Sequence, residues 1–318
     1  MCCPENIARL IESCRRENAC ELEICYNRPM AELSTFRAGG PADCWLRPSG
    51  EGFPEFAAAL IAAARTEIPV LILGGGANIL AADSGIRGIV LDTGGWTGVK
   101  RQQEGVLQFR AGTSLDAASE AAVEAGLSGM EFLAGMPGSI GGAVWMNARC
   151  YGREIADVLI ETEVVNFSGL KPERFRLPAN SAEFGYKRSP FQDGNCLILS
   201  ASFRLTSGEP KKIRADMEGH RADRTAKGHY RYPSAGSVFK NNLSFGKPAG
   251  KIIDELGLCG LQKGGAQVAP WHGNIIINTG GAAASDIRAL ADEVAARVRA
   301  ATGFVLEPEI LFVGSWQA

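Results

Sequence analysis

The sequence predicts a protein of mixed helices and strands, of the α+β class, in more than one domain. Three observations carry this. Segments with the apolar period of helices alternate with short apolar runs of strand length, bounded by glycine, proline and polar turns. The 318 residues suffice for two or three domains with their own cores, and 46% of them are hydrophobic, with no polar low-complexity tract. The 39 glycines, about 12% of the chain against a usual value of about 7%, are clustered rather than periodic. That excludes a collagen-like chain and points to backbone that approaches a ligand closely.

Taken in order, Ile7, Leu10, Ile11 and Cys14 follow helical spacing after Pro4 and predict a short amphipathic helix in an N-terminal segment, 1–30. An alanine-rich helix over 53–65 precedes a buried strand over 70–73, which runs into Gly74-Gly75-Gly76-Ala77-Asn78. Strands follow at 89–91 and 106–111. Thr113 or Ser114 caps a helix that reaches Ala125, with Gly126 placed to end it. The second glycine cluster, 135–142, holds too many helix and strand breakers to be regular throughout and reads as a second ligand-facing loop. Strands at 158–167 and 197–205 close a region spanning 31–206. The polar stretch 206–211 is the expected boundary, and 207–318 forms a smaller domain. It begins with a basic helix-like segment, followed by a helix over 249–256 stopped by Gly257 and a strand over 274–278. Ser285 caps an amphipathic helix with Ile287, Leu290, Ala291, Val294, Ala295 and Val298 on one face. Gly303 ends it, and a last strand over 304–313 carries Glu309. This part reads as α+β or α/β.

A formal charge of −2 gives no broad electrostatic reason to bind nucleic acid or an anionic membrane, although local basic pockets remain compatible with it. The nine cysteines are scattered, without a C-x-x-C pair, and read as reduced thiols that mostly pack as small apolar residues. No metal site is expected. The start of the chain lacks the order of a secretion signal, and the longest apolar run, 57–64, is far below the roughly 18 to 20 residues of a membrane span. A cytoplasmic monomer is expected.

Glycines directly after a strand let backbone N–H groups point at one anion, such as a pyrophosphate; the alternative is a merely tight turn. The P-loop pattern is missing, and Ile79 stands where the third glycine of G-x-G-x-x-G belongs. A phosphoryl-transfer enzyme and a Rossmann dehydrogenase are therefore disfavoured.

Three phrases stand in order: Ser34-Thr35-Phe36-Arg37-Ala38-Gly39-Gly40-Pro41-Ala42, then Leu73-Gly74-Gly75-Gly76-Ala77-Asn78-Ile79-Leu80, then Glu131-Phe132-Leu133-Ala134-Gly135-Met136-Pro137-Gly138-Ser139-Ile140-Gly141-Gly142-Ala143. With Tyr186-Lys187-Arg188-Ser189, Gly236-Ser237-Val238-Phe239-Lys240-Asn241 and Leu306-Glu307-Pro308-Glu309-Ile310, the chain from about residue 34 to 314 resembles the UDP-N-acetylenolpyruvoylglucosamine reductase family. The resemblance implies a two-subdomain FAD-binding fold of the vanillyl-alcohol oxidase/PCMH type, followed by a smaller α/β substrate-binding domain.

It also implies FAD held by Gly74, Gly75, Gly76, Ala77, Asn78, Ile79 and Leu80 together with Pro137, Gly138, Ser139, Gly141 and Gly142, with Arg37 nearby. For Arg37 the alternative is a solvated surface arginine. Asn147 would either contact the flavin or satisfy a buried loop carbonyl. The family phrase continues N-A-G-A-Y-G, whereas Arg149 and Cys150 stand here, so a side chain at 149 is expected to perturb the loop. The three histidines, His220, His229 and His272, lie outside the glycine loops, so non-covalent FAD is expected, Cys150 being the one residue that could alter this.

The implied reaction passes hydride from NADPH through FAD to UDP-N-acetylglucosamine enolpyruvate. It needs a group that stabilises charge developing on the substrate carboxylate and a proton donor to the neighbouring carbon. Ser237 is the candidate donor; its alternative is a loop or capping serine. Glu309 matches the family's carboxylate, although strand periodicity alone would put Glu307 on the same face. Glu309 is expected to have a raised pKa or a neighbouring cation. The family phrase Y-R-x-S usually carries an arginine where Lys187 stands. Lysine keeps the charge without the planar two-point grip. On an extended segment Lys187 and Arg188 would face opposite ways, which favours Lys187. Tyr186, Lys240, Asn241 and Gln267 are the implied substrate contacts, and Lys251 and Lys263 are further candidates for the diphosphate or are simply solvated. The spacing from 187 to 237 resembles the subclass without a tyrosine-bearing insertion. Two other functions stay open: another FAD enzyme of the superfamily, whose substrate rather than NADPH would reduce the flavin, and a non-catalytic nucleotide-sugar-binding protein, whose flavin NADPH would not bleach.

Overall fold

The structure is a computed structural model, and it describes residues 12, 22–48, 53–169 and 171–316. The helix expected around Ile7, Leu10, Ile11 and Cys14 lies outside the described residues. The chain divides into two compact units. The first comprises the N-terminal stretch to Asn27, Asp43–Gly75 and Gly88–Ala222; the second comprises Arg28–Ala42, Gly76–Arg87 and Asp223–Ala318. This differs from the expected cut at 206/207, because two early segments belong with the C-terminal part and the first turns of the helix Pro210–Ala226 belong with the first unit.

The first unit contains two two-stranded sheets and two larger ones. In one, the strand Val70–Leu73 runs parallel to Ile86–Asp92, which lies next to Pro41–Pro48 and then Leu22–Pro29. The last two strands were not expected from the sequence, since Pro41, Asp43 and Arg47 interrupt the apolar pattern of one and the other is mostly exposed. The other sheet is antiparallel, in the order Glu173–Pro178, Leu159–Asn166, Cys196–Arg204, Val106–Arg110 and Val99–Gln103. The helix Phe53–Thr66 buries Phe56, Ala59, Leu60 and Ala63, spaced by three and four residues, into a core shared with Leu46, Ile89, Leu91, Phe109 and Phe203. Ser114 caps Leu115–Glu124 by accepting the Ala117 N–H, and Gly126 adopts φ +69° just beyond it.

In the second unit, the antiparallel strands Gln262–Lys263, Ala266–Val268 and Ile276–Asn278 form one sheet against the helix Ala284–Thr302. Ile287, Leu290, Ala291, Val294 and Val298 are all buried, as their spacing predicts. A parallel pair, Ile79–Ala81 with Leu311–Val313, joins an early segment to the end of the chain. Leu80 and Phe36, both fully buried, enter this core; burying such a side chain contributes about 1.5–3 kcal/mol, enough to hold short segments in place.

Two expectations are corrected here. Ser285 does not cap the last helix: the N-cap is Ala283, and the first-turn N–H groups of Ala284 and Ser285 donate to the Asp83 carboxylate at 2.7 and 2.8 Å. The last strand covers only Leu311–Val313, so Glu309 precedes it, in an irregular segment whose one bridge pairs Pro308 with Phe239. Proline has no N–H for a ladder, which shortens the strand. Cys25, Cys44, Cys150, Cys196 and Cys259 carry no disulfide. Among the described residues no helix is long and apolar enough to cross a membrane.

Candidate active site

In the first unit, the glycine loops meet backbone to backbone. A Cβ at Gly74 would stand 2.6 Å from Ser139 Oγ, and one at Gly75 would stand 2.6 Å from Gly138 Cα. The second loop is less irregular than expected: after Pro137 and Gly138, Ser139 caps a short helix, Ile140–Trp145, with Oγ accepting the Gly142 N–H at 3.4 Å. Gly141 sits where a Cβ would press on Ala111 at 2.9 Å. Side-chain-free backbone on both loops fits the close approach that a flavin pyrophosphate requires.

The Tyr186 to Ser189 phrase is not extended, which corrects the premise used to choose between Lys187 and Arg188. Gly185 and Arg188 exchange both main-chain hydrogen bonds, at 3.0 and 3.1 Å, and close a tight hairpin with Tyr186 and Lys187 at its tip. Lys187 takes φ +58°, in the left-handed region. The hairpin is held from the C-terminal end of the short helix. Asn147, fully buried, donates from Nδ2 to Gly185 O at 2.9 Å and accepts the Ala156 N–H at Oδ1. Asn147 therefore holds a half-buried loop carbonyl. Ser189 Oγ donates to Trp145 O at 2.7 Å, and Gln192 Nε2 donates to both Trp145 O and Lys187 O. Lys187 is half-buried, whereas Arg188 is exposed and paired with Asp193 at 3.2 Å. Tyr186 is exposed. Arg149 and Cys150 form a short antiparallel pair with Glu154 and Arg153, flanked by Asn147 at φ +43° and Tyr151 at φ +52°.

In the second unit, Gly76 has φ +61° and lies against Leu33, and its carbonyl accepts the Thr35 N–H at 3.0 Å. Arg37, exposed and with φ +52°, sits in a turn whose Phe36 carbonyl accepts Asn278 Nδ2 at 3.0 Å. Asn78 donates from Nδ2 to Glu309 O at 3.0 Å, and its own carbonyl accepts the Leu311 N–H.

Ser237 and Glu309 lie on two segments locked side by side. Glu309 N–H donates to Val238 O at 2.7 Å, Lys240 N–H donates to Glu307 O at 2.8 Å, and Phe239 lies opposite Pro308. Both Ser237 and Glu309 are half-buried. Glu307 forms an ion pair with Lys240. Each candidate diphosphate lysine has an acidic neighbour: Lys240 with Glu307, Lys251 with Glu255 at 3.9 Å and Lys263 with Glu293 at 3.7 Å. Asn241 Oδ1 accepts the Ala249 N–H at the start of a helix, and Gln267 Nε2 donates to Gly260 O at 3.2 Å.

The sequence assigned no side-chain role to the supporting residues Ser189, Gln192, Asn274 and Asn278. Ser189 stands inside a recognised phrase and Asn274 begins an expected strand, but only the fold shows that their side chains brace the main chain of other segments.

Comparison with known proteins identifies the family. Residues 228–313 match the family described as UDP-N-acetylenolpyruvoylglucosamine reductase, C-terminal domain, and residues 53–170 match the FAD binding domain family. The chain is 42% identical to the UDP-N-acetylenolpyruvoylglucosamine reductase of Treponema denticola over 306 residues, covering 92% of this chain and 94% of that protein. It is 41% identical to the enzyme of the same name from Treponema pallidum, covering 91% and 93%. The crystal structure of UDP-N-acetylenolpyruvylglucosamine reductase from Thermus caldophilus superposes with a TM-score of 0.71 at 31% identity, covering 92% of this chain and 99% of that one. The chain is thus a member of the UDP-N-acetylenolpyruvoylglucosamine reductase family, an FAD-binding oxidoreductase by both its sequence and its fold.

Proposed function

We propose that the protein reduces UDP-N-acetylglucosamine enolpyruvate to UDP-N-acetylmuramate with NADPH, a step in the synthesis of peptidoglycan precursors. Bound FAD would supply the hydride chemistry that links NADPH to the terminal vinyl carbon of the enolpyruvyl ether. The glycines at 74–76 and 138–142, with Asn78, would hold its pyrophosphate through backbone approach. Hydride at the vinyl carbon shifts an electron pair onto the carbon beside the carboxylate and its oxygens. Lys187, a cation held at a hairpin tip, is the group assigned to stabilise that charge. Ser237 Oγ–H donates the proton that forms the second new C–H bond, so that one hydride and one proton reduce the double bond. A serine hydroxyl suffices because an enolate is a strong base. Glu309 holds the substrate beside Ser237. Tyr186, Lys240, Asn241 and Gln267 are substrate contacts, Lys240 after parting from Glu307.

The single observation that carries this reading is the shared register of Ser237 and Glu309 in a chain of this family: Glu309 N–H to Val238 O, with Phe239 opposite Pro308. The decisive experiment is anaerobic visible spectroscopy. NADPH is expected to bleach the flavin band and UDP-N-acetylglucosamine enolpyruvate to restore it. In Ser237→Ala the bleaching should persist while restoration slows by about 10²-fold or more. Failure of the substrate to restore the band in the unaltered protein would refute the substrate assignment.

A further inference from the structure

The segment that follows Ser237 is held by an uncommon device. Asn274 is 3% exposed, and both polar groups of its side chain engage the main chain of one residue. Its Oδ1 accepts the Phe239 N–H at 2.9 Å, and its Nδ2 donates to Phe239 O at 2.8 Å. Its own carbonyl accepts the Val238 N–H at 2.8 Å, and Ser237 bridges the next residue, Ile275. The amide side chain thereby replaces a rung of sheet for a segment that has no regular strand there. An asparagine can do this because it offers a donor and an acceptor on one planar group.

Asn274 is in turn held by His272, whose Nδ1 accepts the Asn274 N–H at 3.2 Å. That bond needs a neutral ring with its proton on Nε2. Burial lowers the His272 pKa and so preserves the acceptor. On its other side the same segment carries the Glu309 N–H on Val238 O and stands opposite Pro308. A shift of Val238 and Phe239 therefore moves Ser237 and Glu309 together.

We infer that Asn274 is the positioning residue of the proton-delivery step: its amide fixes the main chain at Phe239 and so sets where the Ser237 hydroxyl and the Glu309 carboxylate stand. The inference rests on the reading of Ser237 as proton donor. Asn274→Asp keeps an acceptor for Phe239 N–H but sets a carboxylate oxygen against Phe239 O. His272→Ala removes the bond to the Asn274 N–H and the half-buried ring beside His229 but leaves both Asn274 amide bonds to Phe239 in place, which makes it the milder variant.

The test uses the flavin-loaded protein in anaerobic stopped flow, with each half-reaction followed separately, and hydrogen exchange on the same variants. Asn274→Asp is expected to slow flavin reoxidation by UDP-N-acetylglucosamine enolpyruvate by about 10²-fold, the usual consequence of a misplacement near 1 Å. Bleaching by NADPH should be unchanged, and exchange of the Val238 and Phe239 amides should rise. His272→Ala should show the same pattern at about tenfold, and it carries the test if Asn274→Asp does not fold. In the Ser237→Ala background, Asn274→Asp should add almost nothing, because both changes remove the same step. A merely structural role would slow both half-reactions alike and would add to Ser237→Ala, and either result overturns the inference. Impaired Ser237→Ala with unimpaired reoxidation in the Asn274→Asp and His272→Ala variants overturns the positioning role alone. Unimpaired Ser237→Ala overturns the Ser237 reading and the inference together.

Discussion

Lys187 shows how a single residue acquires its place from its surroundings. Its backbone has φ +58° at the tip of a two-residue hairpin, a conformation a flexible unbranched side chain tolerates and a β-branched one does not. Its carbonyl is held by Gln192, while Asn147 fixes Gly185 at the start of the hairpin. Arg188 next to it is exposed and balanced by Asp193. Lys187→Ala is accordingly expected to slow flavin reoxidation by substrate by about 10²-fold, the scale of losing one charge-stabilising group. Arg188→Ala should leave it nearly unchanged, as an exposed ion pair contributes roughly 0–1 kcal/mol. The reverse result in stopped-flow absorbance would assign the cation to Arg188. The identities Tyr186, Lys187 and Ser189 were readable in the sequence as a phrase. The turn was not, because its stability comes from Trp145, Asn147 and Gln192, which lie outside it.

At the scale of elements, local signals and remote partners divide the work. The helix Leu115–Glu124 was readable at both ends because Ser114 and Gly126 act within one turn of it. The helix Ala284–Thr302 was readable along its buried face and at Gly303, but not at its start, where the cap comes from Asp83. Burial alone would raise the Asp83 pKa, but hydrogen bonds from Ser285 and Ala284 hold it below the usual carboxylate value. A carboxylate at a helix N-terminus also meets the positive end of the helix dipole. Asp83→Ala should therefore lower stability by about 1 kcal/mol in denaturant titration. The glycine loops supply a second element-scale test. A methyl group at Gly75 would meet the Gly138 Cα at 2.6 Å and its carbonyl carbon at 2.8 Å, backbone atoms that cannot swing aside. Gly75→Ala should cost about 1–3 kcal/mol in stability, the usual range for overpacking. The purified variant should also retain less flavin, measured as the ratio of visible to ultraviolet absorbance.

Across the whole molecule, the two units have separate cores, and two early segments, Arg28–Ala42 and Gly76–Arg87, are built into the second. That unit also contains the half-buried pair His229 and His272, with ring centroids 6.3 Å apart. Burial, reinforced by Arg224, His272 and Lys227, lowers the His229 pKa to about 4, with Asp223 opposing. In the unfolded chain the ring protonates near 6.5. Both states are neutral above that value. As pH falls from about 6.5 towards 4, the unfolded chain takes up the proton first, so folding stability declines through this window. Thermal midpoints measured across it should fall with pH, and His229→Gln should flatten the dependence. A wild-type profile without a fall over this window would contradict the burial of His229.

The amino-acid sequence by itself determined the α+β class, the helices with local caps and apolar periods, the two glycine loops and the phrases that carry Lys187, Ser237 and Glu309. These follow from interactions within one or two turns of chain, or from short strings whose composition is tied to their chemistry. Tertiary structure decided the membership of the units, the pairing of Ile79–Ala81 with Leu311–Val313, the Asp83 cap, the hairpin at Lys187 and the Asn274 brace behind Ser237. Each depends on a partner far away in the chain, and a side-chain amide or carboxylate that stands in for a missing backbone partner leaves no periodic mark in the sequence.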